Sequence, residues 1–387
     1  MAYLQNRDVN FINLHYVFQA LAQGSGGVFL LVFLLKAGLT VPETMLALAA
    51  TVVMRFVARF AVVPIALRFG LRNTLIGGGF ILALQYPLSA EVHGLDWALF
   101  ARCAATGAGE AIYWSCYHAF FASLGDTEHR GHQIGAREAM AAGIGIVAPI
   151  FGAWALMFLG PRLAFALIGC IQALGALPLL GAPQVSVRNA APLAFSAASL
   201  GMQLYVLNGW FAATFVLAWQ VALFGALGES LSAYGGTMSL AALAGSLGGM
   251  LLGKGIDAGR GISAVSVVFV AIILVAALRA TSLSWPEAAI AANALGAFAI
   301  CFYVPVLMAP VYNLAKASPC ALRFHVATES AWDVGCCTAA LLAALVSGVG
   351  ISLAWIVVLT IPATAGQLWL LRRHYQSLMG SGDSLLH

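Results

Sequence analysis

The chain has 387 residues, 62% of them hydrophobic and only 8% charged, with a formal net charge of +4 and a mean hydropathy of +0.94. A soluble domain carries about 25% charged residues, so this composition excludes a soluble enzyme, and the small positive charge is no nucleic-acid signal. It defines a polytopic α-helical protein whose partner is the lipid bilayer, because a crossing helix needs roughly 20 apolar residues and must satisfy its own backbone polar groups.

Apolar stretches long enough to cross fall at 11–35, 42–67, 73–92, 97–124, 137–160, 162–182, 194–224, 230–252, 262–281, 287–314, 326–348 and 350–372, twelve in all. The polar start, Met1 to Asn10, lacks the pattern of a cleaved signal peptide, so the first span is expected to be retained. Arg7, Arg68, Arg72, Arg130, Arg137, Arg188, Lys254, Arg260, Lys316, Arg323, Arg372 and Arg373 fall on one side of this topology, and only Lys36, Arg162 and Arg279 in the opposite loops. The positive-inside rule then puts both termini in the cytoplasm. The seven cysteines have no C-x-x-C spacing and lie mostly within spans, and His129 and His132 stand in a loop without further ligands. Neither a disulfide framework, a metal site nor a cofactor is indicated.

Pro183 and Pro192 bracket a short polar connection at the middle of the chain. It divides the protein into an N-terminal six-helix bundle, 1–186, and a C-terminal one, 187–387. Equal halves of like topology are the mark of a duplicated transporter, with its site between the halves. The loop after the second span contains Arg68, Gly70 and Arg72, and its counterpart in the second half contains Gly253, Asp257, Gly259 and Arg260. Both resemble the loop pattern G-x-x-x-D-[RK]-x-G-[RK]-[RK] of the major facilitator superfamily, although the first copy has Val63 and Leu67 where the pattern has Gly and Asp. The run Gly143, Gly145, Pro149, Gly152 in the fifth span is similar to a glycine–proline motif of that superfamily's antiporters. The resemblance covers essentially the whole chain. It implies an all-α fold of twelve transmembrane helices in two pseudo-symmetric bundles, and a monomer in the plasma membrane, expected to be a bacterial inner membrane. It also implies a cavity lined by spans one, four, seven and ten.

Charges within spans are costly, by about 2.5–3.5 kcal/mol or more at the centre, so each is a functional candidate. Arg55 and Arg59 lie one turn apart on the second span; Glu110 lies near the middle of the fourth, with Arg102 nearer the outside and His118 nearer the cytoplasm. Arg55 suits a carboxylate or phosphate through its bidentate guanidinium. Glu110 is then the proton-coupling group, unless the two form a permanent structural pair. His15, Gln19 and Gln23 recur every fourth residue on the first span, a polar stripe expected to line the cavity. Tyr113, Trp114 and Tyr117 follow Glu110 as aromatic candidates, and Asn208, Asn293 and Tyr303 are the polar candidates of the second half.

Glu329 and Asp333 stand near the start of the eleventh span, where Asp333 could also relay protons. The resemblance implies that the loop between spans two and three docks beside them. A gate follows, in which Arg68 or Arg72 pairs with Glu329 or Asp333 while Asp257 and Arg260 meet Arg137 and Glu138. The functional expectation is a proton-coupled transporter of a small anionic or amphipathic solute, leaning to export by antiport on the fifth-span motif. A drug-efflux antiporter, in which Glu110 meets a lipophilic cation, is the alternative. A membrane enzyme or sensor on the same scaffold is disfavoured: no output module is present, and Glu110 and His118 are too far apart along one helix for direct contact.

Overall fold

The computed structural model describes residues 6–124, 130–191, 193–252 and 261–383, and among them every regular element is a helix. The first half contains α1 (Arg7–Ser25), α2 (Leu30–Lys36), α3 (Val41–Ala83), α4 (Gln85–Ala90), α5 (Trp97–Leu124), α6 (Arg130–Phe158), α7 (Gly160–Leu174) and α8 (Ala176–Leu180). The second contains α9 (Ser199–Phe211), α10 (Trp219–Ala226), α11 (Leu231–Leu252), α12 (Gly261–Ser282), α13 (Pro286–Ala317), α14 (Ala321–Gly348), α15 (Leu353–Val358) and α16 (Thr360–Asp383).

Among the described residues, nine continuous helical segments are long and apolar enough to cross a membrane. One of them, Val41–Ala90, runs for 50 residues, long enough for two passes. The chain reverses inside it at Gly70, whose φ of 74° is open to glycine at little cost and expensive for a residue with a Cβ. Large apolar side chains such as Phe60, Trp97, Phe158 and Val267 stand out from the surface, each at least 70% exposed. Such a surface would aggregate in water and suits hydrocarbon. The molecule is an integral membrane protein.

The first span of each half departs from α geometry beside the centre of the bundle. α1 gives way to a 3₁₀ turn at Gly27–Phe29 before α2, and α9 continues through a π-helical segment, Ala212–Ala218, into α10. Local departures of this kind re-aim side chains and recur at functional sites. The two halves meet through apolar clusters. Leu34, Met45, Val52 and Cys103 pack with Ala213, Val221, Cys336 and Ala343, while Phe29, Phe33 and Phe165 pack with Trp219, Phe224 and Tyr234. An exposed Lys36–Glu229 pair at 3.6 Å adds little to this contact.

The connection between the halves is tied to both. Val185 accepts from Leu71 N–H at 2.9 Å, the Gln184 side chain accepts from Arg72 N–H at 3.0 Å, and Arg323 donates to the carbonyls of Arg188 and Asn189. Arg72 also donates to the Ala182 carbonyl at 2.9 Å. Arg279, expected in a loop, is buried in the last turn of α12. It donates to the carbonyls of Phe215 and Ala292 and lies 4.0 Å over the Phe215 ring and 4.7 Å over that of Trp219. Its hydrogen bonds and the ring faces satisfy the cation without a carboxylate.

Within the second half, α9 and α14 cross at two glycines. A Cβ on Gly209 would run into the Trp332 carbonyl, and one on Gly335 into that of Val206. Replacing either with alanine is expected to push the helices apart and destabilise the protein by about 1–3 kcal/mol, read as a lower thermal midpoint in detergent. An unchanged midpoint in both variants would refute this account of the crossing.

Candidate functional site

A cavity of about 420 Å³ lies at the centre of the molecule. Its walls come from the first span and α3, α4 and α5 of the first half, and from α9, its π segment, α10, α13 and α14 of the second. One helix carries the richest wall. Arg102, Thr106, Glu110, Trp114 and His118 recur every fourth residue along α5, and all five line the cavity. α5 can lie against α3 because Gly107 has no side chain; a Cβ there would stand 2.6 Å from the backbone nitrogen of Arg55 and the carbonyl of Thr51.

Beside the cavity lies a cluster of five charges. Arg55 and Arg59 come from α3, Glu110 from α5, and Glu329 and Asp333 from α14. Arg55 Nη2 donates to Glu329 Oε2 at 2.6 Å, while its Nε lies 3.3 Å from Asp333 Oδ1 without hydrogen-bond geometry. Its guanidinium also sits 4.4 Å over the Trp332 ring. Arg59 uses all three nitrogens: Nε and Nη2 on Asp333, Nη2 on Glu329 at 3.1 Å, and Nη1 on Ser115 Oγ at 3.0 Å. Glu110 is held more loosely, 3.6 Å from Arg55 Nη1, with its side chain 26% exposed where that of Asp333 is 0%. The cluster therefore joins the halves through Glu329 and Asp333, and of the two carboxylates that line the cavity Glu110 is the more exposed and the less tightly held.

Arg55 and Glu110 are neighbours, as expected, but each belongs to a larger network. The expected pairing of Glu329 and Asp333 with Arg68 or Arg72 is replaced. The carboxylates meet Arg55 and Arg59, whereas Arg72 serves the half-to-half connection and Arg68 lies over the Phe69 ring. The reason is depth. α14 begins at Ala321, so Glu329 is about 12 Å along the helix axis rather than at its mouth. Asp257 and Arg260 lie outside the described residues, as do the side chains of Arg137 and Glu138, so that second pair of gate residues is not described.

The polar stripe of α1 is divided in function. Gln23 lines the cavity, but His15 is buried against the Gly175 carbonyl (2.6 Å) and Tyr113 Oη (2.9 Å), and Gln19 accepts from Gln172. These two pin α1 to α5 and α7. Tyr113 and Tyr117 stack on each other with centroids 5.8 Å apart and are fully buried, away from the cavity. Trp114 does line it. Asn208 also lines it, accepting from Tyr303 Oη at 2.9 Å; Tyr303 itself is buried behind, bonded to Gln367 as well. Asn293 is structural, taking the Trp219 indole N–H at 3.0 Å.

Among the cavity residues not singled out beforehand as site residues are Arg102, Trp332, Gln85 and Gln220. The four-residue spacing from Arg102 to His118 was the available signal for the first; nothing local marked the others. Among the described residues no group of His, Cys, Asp and Glu could hold a metal ion.

Against known proteins, no family model and no curated protein sequence matches the chain. The fold is nonetheless recognisable. A solved structure described as that of a major facilitator superfamily transporter, FucP, in the outward conformation is similar over 96% of this chain and 99% of that one, with a TM-score of 0.66 at 14% identity. The chain thus has the fold of a major facilitator superfamily transporter.

Asp333 has no side-chain exposure and compensates both arginines. Removing one partner of a buried pair strands the other, so Asp333→Ala is expected to cost about 3–5 kcal/mol. Glu110→Gln, which removes only a 3.6 Å contact at the cavity wall, is expected to cost far less. Equal thermal midpoints for the two variants would contradict this division of roles.

Proposed function

We propose that the protein is a proton-coupled secondary transporter that moves a small anionic or amphipathic organic solute by alternating access. In this reading its twelve spans form two six-helix halves, 1–186 and 187–387, with both termini in the cytoplasm. The solute occupies the central cavity while the halves rock about it. The fold is compatible with this, but a fold by itself does not define an activity. The observation that carries the reading is the position of Glu110: on the cavity wall, and the most exposed carboxylate of a charge cluster that spans both halves.

A buried charge imbalance is expensive, and a proton is the smallest correction. Arg55 and Arg59 face Glu110, Glu329 and Asp333, so two positive charges meet three negative ones when all are ionised. Protonation of Glu110 would balance this cluster, while deprotonation would set a carboxylate of Arg55's own half in competition with Glu329 of the other half and so weaken the contact between the halves. Glu110 is in this way both the proton site and the group through which a proton acts on the contact between the halves, whereas the enclosed Asp333 is a partner for the arginines. Arg102 adds a further positive charge to the cavity wall, so the protonated site carries an excess that an anion would neutralise. That favours the proton travelling with the solute over the antiport and export suggested by the glycine–proline stretch of α6.

Efflux of a lipophilic cation remains the second reading, supported by Trp114 and Trp332 in the cavity wall and opposed by the nearby charge of Arg102. A proteoliposome experiment separates the two. With a pH dye inside, an inward gradient of the transported organic anion should acidify the lumen faster than in protein-free vesicles. Glu110→Gln should abolish the difference while keeping the thermal midpoint within a few degrees. Proton movement that persists in Glu110→Gln, or that responds only to lipophilic cations, would overturn the proposal.

A further inference from the structure

Arg102 is 3% exposed and lines the cavity, yet its Nε and Nη1 have no hydrogen-bond partner. The contrast with its neighbours is sharp. Arg55 and Arg59 are held by Glu329, Asp333 and Ser115, and Arg279 by backbone carbonyls and two rings. A guanidinium buried at membrane depth without acceptors is costly unless something else supplies them. The cavity is the side from which an acceptor can come.

The rest of the wall narrows the chemistry of that acceptor. The same cavity has a hydrocarbon share in its lining, with Leu30, Leu31, Leu48 and Val52 from the first half and Val216 and Leu217 from the second. Binding sites of this composition hold an apolar body and orient it through a few polar groups. Arg102 offers a full positive charge and unused N–H groups at Nε and Nη1, on different edges of the guanidinium, and a carboxylate supplies both the opposite charge and an acceptor oxygen. Glu110 lies two turns further along α5, about 12 Å away along the axis. A solute anchored at Arg102 can therefore extend toward Glu110 without placing its own charge on that carboxylate.

We propose that Arg102 is the anion anchor of the cavity and that the solute is a small amphipathic monocarboxylate, its carboxylate on Arg102 and its apolar body along the leucine and valine wall. This deepens the transport reading above. It differs from the expectation that Arg55 binds the substrate, because Arg55 is already engaged by Glu329 and stacked on Trp332. One monoanion is what the site accommodates: a phosphate or a dicarboxylate would bring a second charge against hydrocarbon, with no second free cation among the described lining residues.

The test is equilibrium binding at fixed pH, so it does not depend on whether transport is proton-coupled. The full chain in lipid nanodiscs is titrated calorimetrically with benzoate and hexanoate. Benzamide, benzylamine and inorganic phosphate serve as neutral, cationic and hydrophilic anionic comparisons, and thermal midpoints are recorded in parallel. Benzoate and hexanoate should bind and raise the midpoint, and the comparison compounds should not. Arg102→Met should weaken carboxylate binding by roughly tenfold to a hundredfold, the range for a charged hydrogen-bonded contact, and Arg102→Lys should restore part of it. The ligand-free midpoint of Arg102→Met should equal or exceed that of the wild type, since no partner is stranded; a merely structural arginine would lower it. Wild-type protein that binds neither carboxylate, that binds benzamide as well as benzoate, or that responds only to phosphate would overturn the proposal. So would an Arg102→Met variant that binds benzoate unchanged. Failure of the proton reading shows up elsewhere, as proton movement unaffected by Glu110→Gln while carboxylate binding still depends on Arg102.

Discussion

Five charges packed between α3, α5 and α14 are the constraint on which the rest of the molecule turns. Neither hydrocarbon nor an apolar core tolerates an uncompensated ion, so Arg55 and Arg59 of one half must find Glu329 and Asp333 of the other. Apolar contacts between the halves are not directional and permit small slides. The Arg59–Asp333 contact, with the guanidinium also bound to Ser115, permits one arrangement. Such an element has two states, made or broken, which is what a switch between conformations requires.

The cavity inherits its shape from departures in helix geometry. The 3₁₀ turn after α1 and the π segment after α9 occur in the first spans of the two halves, and both contribute lining residues: Gly27 on one side, Ala212 and Val216 on the other. Irregular backbone at membrane depth is tolerated where protein or a cavity, and not lipid, surrounds it. The same places that lose ideal hydrogen bonding are the places where a solute would be met.

The polar residues of the spans divide into two classes by their partners. His15, Gln19, Tyr303, Asn293 and Arg279 are satisfied within the protein and hold helices together. Glu110 and Arg102 lie on the cavity wall with contacts that are long or missing. Incomplete compensation of this kind is a poor way to stabilise a fold and a good way to bind something. The difference is invisible in a residue's type: Arg102, Arg59 and Arg279 are all buried arginines, and only their partners tell them apart.

Much of the architecture could be read without coordinates. Hydropathy acts over one span at a time, so the apolar segments, the reversal at Gly70 and the break near Gln184 follow from local sequence. The importance of Arg55, Arg59 and Glu110 follows from the cost of a charge in lipid, which holds wherever the helix packs. Pairing was not legible, because Arg55 and Glu329 are 274 residues apart and several carboxylates were equally eligible partners. A five-residue error in the start of α14 placed Glu329 and Asp333 at its mouth, and with them the expected pairing with Arg68 or Arg72. The stripe His15, Gln19, Gln23 shows the same limit: periodicity put the three on one face, and only the neighbouring helices decided that two of them face Gln172, Gly175 and Tyr113 while one faces the cavity. Sequence alone determined what must avoid lipid, since that depends on each residue's own chemistry; the tertiary structure decided which groups compensate one another, since that depends on where distant helices meet.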